Sequence, residues 1–146
     1  MTWILQTDCD ACGGRCAFRM CGDESDQQCE RLCDTTNGLD SMLEAYIECA
    51  LWSSTDNSDD SGGNPLDDDH DSSDVADESW LAALNDCSSF LEAEEKDLER
   101  IRAKHGAEPE QWGHDFWLTR NGHGAGFWDR GYGAVGDRLS KATKPY

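Results

Sequence analysis

Positive charge is scarce in this chain. Its 146 residues carry 12 lysines and arginines against 31 aspartates and glutamates, a formal net charge of −19. The deficit is uneven. Residues 1–50 hold 3 basic and 10 acidic groups and residues 51–100 hold 2 and 16, whereas residues 101–146 hold 7 and 5. Such a field repels nucleic acid and anionic membranes within a Debye length and favours basic partners. Long apolar runs are also missing, and none approaches the ~20 residues of a membrane-spanning helix. The first residues, MTWILQTDCDACGG, lack the basic and apolar regions of a secretory signal. The sequence therefore points to the cytoplasm, where cysteines stay reduced or hold metal. No P-loop, GxSxG or HExxH pattern occurs, and the Gly122-His123-Gly124-Ala125-Gly126 run lacks the GxGxxG spacing and a surrounding βαβ unit, so nothing there argues for a kinase, serine hydrolase, zincin or Rossmann enzyme.

What the chain does have, first, is cysteine: eight in all, six of them within residues 9–33. Cys9-x2-Cys12 followed by Cys29-x3-Cys33 is close to a four-thiolate zinc spacing. A two-residue gap lets both sulfurs reach one tetrahedral ion, and the glycines after Cys12 free amides to turn toward the thiolates. The predicted ligands are Cys9, Cys12, Cys29 and Cys33, around a structural zinc. Cys16 and Cys21 are left over, so the ligand set is ambiguous. A disulfide framework is the alternative, and six cysteines allow fifteen pairings. Residues 1–36 are read as a cysteine-rich module and residues 37–146 as an α+β domain.

Within that domain, a helix capped by Asp40 or Ser41 is expected over 42–52, with an apolar face from Met42, Leu43, Tyr46, Ile47 and Cys49. Cys49 lies outside the N-terminal cluster and reads as a small buried hydrophobe. Residues 53–74 contain no lysine or arginine and read as an acidic, solvated loop. Their aspartates do not make a calcium loop. Counted from Asp67, the sixth position is Ser72 rather than glycine, and only Glu78 at the twelfth fits. Trp80, Leu81, Leu84, Cys87, Leu91, Leu98 and Ile101 recur at helical spacing and predict a long helix over 75–104, stopped by Gly106 and Pro109. Its other face carries Glu92, Glu95 and Glu99, read as unpaired and able to present a row of negative charge to a partner.

The densest stretch is Trp112–Gly136, WGHDFWLTRNGHGAGFWDRGYGAVG. Alternation and the Asn121-Gly122 pair predict a β-hairpin, Asp115–Thr119 against Ala125–Arg130. Trp117 would then face Trp128 or Phe127 across the strands in an aromatic mini-core, rimmed by ion pairs among Asp115, Asp129, Arg120 and Arg130. The exposed tip, Asn121, Gly122, His123 and Gly124, is a candidate contact surface. His114, Asp115, His123 and Asp129 are the polar groups that a hydrolase would have to use. A short helix over 137–144 closes the chain.

WGHDFWLTRNGHGAGFWDRG, with the upstream AYIECALWSSTD and Pro65-Leu66-Asp67, resembles a family of small acidic proteins of bacteriophages and mobile elements. The resemblance covers roughly residues 43–144 and leaves out the cysteine module. It implies an accessory protein made in a host cytoplasm and supplies no catalytic residues. The expected fold is α+β and mostly helical, two longer helices against an aromatic hairpin plus a cysteine-rich module. Three functions follow in order. The first is a non-enzymatic acidic protein that binds and modulates a basic or nucleic-acid-handling host protein, as a nucleic-acid mimic. The second is a zinc-stabilised adaptor acting through its cysteine module. The third is a small hydrolase.

Overall fold

Buried side chains from the first strand to the last helix form one continuous core, with Trp3, Ala17 and Leu32 in the same cluster as Leu39, Leu84 and Phe116. The structure is a computed structural model and describes residues 2–20, 28–58, 60 and 63–146. The architecture is α+β. Strands β1 (Ile4–Gln6), β2 (Cys16–Met20) and β3 (Gln28–Arg31) form an antiparallel sheet in sequential order. Helices α1 (Leu39–Ser53), α2 (Asp77–His105), α3 (Pro109–Arg120) and α4 (Ala134–Ala142) make the bulk. Strands β4 (Thr55–Asp56) and β5 (Asn64–Pro65) pair in the acidic segment.

Helix α1 starts three residues earlier than its apolar pattern suggests. Gly38 adopts a left-handed φ of 84° and Asn37 Oδ1 accepts the Leu39 amide at 3.1 Å, so Asp40 and Ser41 are not needed as caps. Leu39, Met42, Leu43, Tyr46 and Ile47 are buried, as is Cys49. The long helix, α2, ends as expected. Gly106 has a φ of 67°, and its amide and that of Ala107 donate back to the Arg102 and Ile101 carbonyls, the glycine-terminated stop that needs no β-carbon.

The hairpin prediction is overturned. Residues 109–120 are helical, opened by Pro109 in the first turn, where its missing amide costs nothing. Pro109, Trp112, Gly113 and Phe116 share the buried side, spacings of three and four that the 116-118-120 alternation disguised. Gly113 is a packing glycine rather than a turn. A β-carbon there would collide with the Met42 carbonyl and stand 2.8 Å from the Tyr46 amide nitrogen, so its absence lets α3 lie directly on α1. Asn121-Gly122 does turn the chain, but as a helix end. Gly122 has a φ of 69° and the His123 amide donates to the Leu118 carbonyl at 3.0 Å. Residues 125–130 are not a strand either. Phe127–Asp129 is a single 3₁₀ turn, anchored by the Phe127 amide on Thr119 Oγ1 at 3.0 Å.

The aromatic core is correspondingly different. Phe90 stacks on Phe116 with ring centroids 4.3 Å apart, and Phe127 and Tyr146 close around them. Trp117 stands edge-on to Tyr46 and donates its indole N–H to Ser53 Oγ at 2.7 Å. Trp128, expected inside, is 53% exposed. The acidic segment 53–74 is more than a solvated loop. The Leu66 amide bonds the Ser54 carbonyl, and Asp71 and Asp74 form a reciprocal capping box around a 3₁₀ turn at Ser72–Asp74. The last helix spans 134–142, shifted toward the N-terminus of its predicted 137–144.

Candidate metal centre

The sheet and the turn after β1 bring four thiols together. Cys9 and Cys12 sit in the β1–β2 turn, Cys16 begins β2 and Cys33 lies in the 3₁₀ turn that follows β3. Their sulfurs all lie within 4.8 Å of one another. The turn is built for this. The Gly13 amide donates to the Cys9 carbonyl at 2.7 Å, the Cys9 amide to the Gly14 carbonyl at 3.1 Å, and Gly13 takes a φ of 74°. Cys9 and Cys16 are buried, Cys33 is half-buried and Cys12 is exposed.

The sulfur spacing is compatible with a metal site. Cys9 and Cys33 sulfurs are 3.7 Å apart. A disulfide needs about 2.05 Å. Four thiolates around one ion at about 2.3 Å stand about 3.8 Å from each other, the edge of the tetrahedron. The cluster therefore fits a metal ion held by four thiolates. The electrostatics suit a cation. Amide hydrogen bonds from Cys12 and Ala11 pull the Cys9 thiol down to about 7, while burial, followed by hydrogen bonds with its neighbours, pushes Cys33 up to about 12. A bound cation would displace the protons that the crowded thiols otherwise keep.

Of the four predicted ligands, Cys9, Cys12 and Cys33 are in the cluster. Cys16, set aside in the sequence, supplies the fourth sulfur. The side chains of Cys29 and Cys21 lie outside the described residues. The useful signal was β-register rather than spacing: Cys16 pairs with Gln6 at the end of β1, which brings its sulfur beside the turn.

Two arginines weld this lobe to the helices. Arg15 Nη1 and Nη2 donate to the Val75 and Ser72 carbonyls at 2.5 Å each, Nη1 also reaches Asp77 at 3.1 Å, and the guanidinium lies over Trp80. Arg19 bridges Glu30 and Glu92 at 2.5 Å each and stacks over Trp3.

The other candidate residues fare differently. Glu92 is paired with Arg19, and Glu99 lies 3.5 Å from Arg102, so the α2 row is not unpaired. Only Glu95 of the three has no ion pair among the described residues. Asp97 of the same helix is buried and held by Arg138 and Arg100. Asp115 is fully buried. Arg130 and Gln111 donate to it at 2.8 and 2.9 Å and Tyr132 contacts it at 3.4 Å. Burial pushes its carboxyl up, and the Arg130 hydrogen bond opposes that. Arg120 pairs with Asp86 and donates to Tyr46 and to the Tyr146 carbonyl. Asn121, Gly122, His123 and Gly124 form an exposed turn, and Asn121 folds back onto the Trp117 carbonyl. His123 and Asp129 are exposed while Asp115 points into the core, so these groups do not assemble one site.

Fold and site together describe an α+β protein with a four-cysteine cluster of metal-binding geometry at one edge. Compared with known proteins, the chain matches no family model, no curated protein and no solved structure.

Proposed function

We propose that this protein is a non-enzymatic acidic adaptor, stapled by one structural zinc ion, that binds a basic protein of the cell in which it is made. The observation that carries the reading is the gathering of the Cys9, Cys12, Cys16 and Cys33 sulfurs within 4.8 Å of one another. Four protein ligands leave no coordination position for a substrate, which is the signature of a structural rather than catalytic zinc. Of the polar groups a hydrolase would need, Asp115 is buried and held by Arg130, whereas His123 and Asp129 are exposed and apart from it. The net charge of −19 favours a basic partner. The resemblance to phage and mobile-element proteins makes that partner a host protein. Of the two binding modes the sequence suggests, the adaptor has better support than nucleic-acid mimicry along α2, because arginines of this chain already neutralise Glu92 and Glu99.

Elemental analysis of protein purified without chelator tests the metal, with one zinc per chain expected and Cys16→Ser expected to lose it. Replacement by cobalt should give the intense sulfur-to-metal charge-transfer bands of a four-thiolate site. Affinity capture from host lysate at low and high salt tests the partner. A basic protein released by salt is the expected outcome. A metal-free, fully thiol protein would refute the zinc staple, and recovery of no basic protein would refute the adaptor.

A further inference from the structure

The solvent face of α1 has a composition that the fold does not explain. Asp40, Glu44, Glu48 and Trp52 follow one another at intervals of four, and all four are exposed. Residues four apart lie one above another on a helix, so they form a single stripe about 18 Å long. Trp52 is 61% exposed, the most exposed large apolar side chain among the described residues. None of the three carboxylates forms an ion pair among the described residues, and the one polar contact is Ser72 Oγ on Glu44 at 3.0 Å. The carboxylates crowd one another, and Asp40 is pushed up by burial and by the neighbouring Glu44 charge. This contrasts with α2, where Glu92, Asp97 and Glu99 each hold an arginine.

The stripe is a ridge between hollows rather than a flat face. On one side a cavity of about 680 Å³ is walled by Trp52, Glu48, Asp67, His70, Asp71 and His114. On the other a hollow of about 610 Å³ is walled by Asp40, Glu44, Glu48, Glu110 and His114. A third cavity, about 560 Å³, continues from Asp40 and Glu44 past Asp77 to the cysteine cluster. Glu44 lines all three.

We propose that this α1 face is the docking strip of the adaptor, and that its occupant is an extended, arginine- or lysine-rich segment of the partner protein. The proposal rests on the adaptor reading above and names its site. Charge complementarity selects the occupant, since uncompensated carboxylates attract a cationic segment and repel anionic surfaces. A stripe of about 18 Å matches five or six residues of extended chain at roughly 3.3 Å each. The open indole of Trp52 offers a face to one cationic side chain, an arrangement worth ~0.5–1 kcal/mol at an exposed site.

The test uses the full-length, metal-loaded protein and a fluorescein-labelled hexapeptide of alternating arginine and serine, followed by fluorescence anisotropy at low salt. Glu44→Gln with Glu48→Gln should weaken binding roughly 5–10-fold, from two exposed charge pairs. Trp52→Ala should weaken it about 2–5-fold. Glu95→Gln with Glu99→Gln on α2 should change it less than about twofold. All five side chains are exposed, so unchanged thermal midpoints are expected and separate binding from folding. Equal losses from the α1 and α2 variants, or no binding of the peptide by the unaltered protein, would overturn the strip. Lysate capture separates this proposal from the one it rests on. If the α1 double variant captures the same basic protein as the parent, the strip is wrong and the adaptor stands; if the parent captures none, the adaptor itself falls.

Discussion

The cysteine lobe and the helical layer solve the same problem by different means. The lobe has three short strands, of three, five and four residues, and among the described residues its buried apolar anchors besides the cysteines are Trp3, Ala17 and Leu32. Three short strands with so little apolar cover are marginal in water. Four thiols converging on one point, plus the Arg15 and Arg19 clamps, supply what the lobe lacks in area. The helical layer needs no such device. Phe90, Phe116, Phe127, Trp112, Leu84, Leu98 and Ile101 are all at most 1% exposed, and apolar burial of this kind is the main driving force of folding. One region gathers thiols, the other packs apolar side chains.

Metal removal should break the comparison most sharply. With a strong chelator, the amides of β1 and β2 should lose hydrogen-exchange protection while those of α2 and α3 keep theirs, since structural zinc contributes on the order of 10 kcal/mol to the lobes it folds. Uniform loss across the chain would show that the two regions are one cooperative unit.

Next in size is the core of the helical layer. Phe116→Ala should destabilise by ~3–5 kcal/mol, read as a fall in the denaturant midpoint. Trp128→Ala should stay within about 0.5 kcal/mol, as exposed substitutions do. Equal effects would contradict the burial difference between the two rings. Gly113→Ala tests the helix contact. It should cost ~1–3 kcal/mol by overpacking, against the gain in helix propensity that alanine brings at an open site. A stabilised variant would mean that α1 and α3 separate easily.

The smallest effect concerns pH. Arg138, and then Arg100, hold Asp97 below its ordinary value of 3.8 despite burial. A carboxyl with a depressed folded value stabilises above its unfolded pKa, and that contribution disappears as pH falls through the folded one. Asp97→Asn should therefore lower the midpoint by ~1–3 kcal/mol near neutrality. The difference from the parent should close as pH drops below 3.8. A difference independent of pH would assign the effect to packing.

The long amphipathic helix and its Gly106 stop were legible because their signals are local and redundant. So was α1, apart from its start, where Asn37 and Gly38 replaced the expected cap. The 109–120 segment was misread for a physical reason. Glycine-rich, aromatic-rich sequence satisfies a strand pattern locally, and what makes Gly113 helical is a helix seventy residues away in the chain, at Met42 and Tyr46. Asp115 and Arg130, expected within a set of rim ion pairs, do pair, with Asp115 fully buried and Arg130 reaching it from the surface. At the cluster, sequence spacing found three sulfurs and missed Cys16, because the turn that delivers it is fixed by strand pairing rather than by the gap between cysteines. The α1 strip left no motif at all. It stands out only because its carboxylates lack, among the described residues, the ion pairs that Glu92 and Glu99 have on α2.

The Arg15 clamp has a consequence in time as well as in space. Its bonds to Ser72, Val75 and Asp77 close separations of 57, 60 and 62 residues, and the Trp3 amide reaches Asn85 across 82. Closing such spans carries an entropy cost that local helix contacts do not, and distant pairings slow folding. Docking the lobe on the helices therefore carries a loop-closure cost of the same order as seating α3 on α1, where Gly113 meets Met42 and Tyr46 across a similar span.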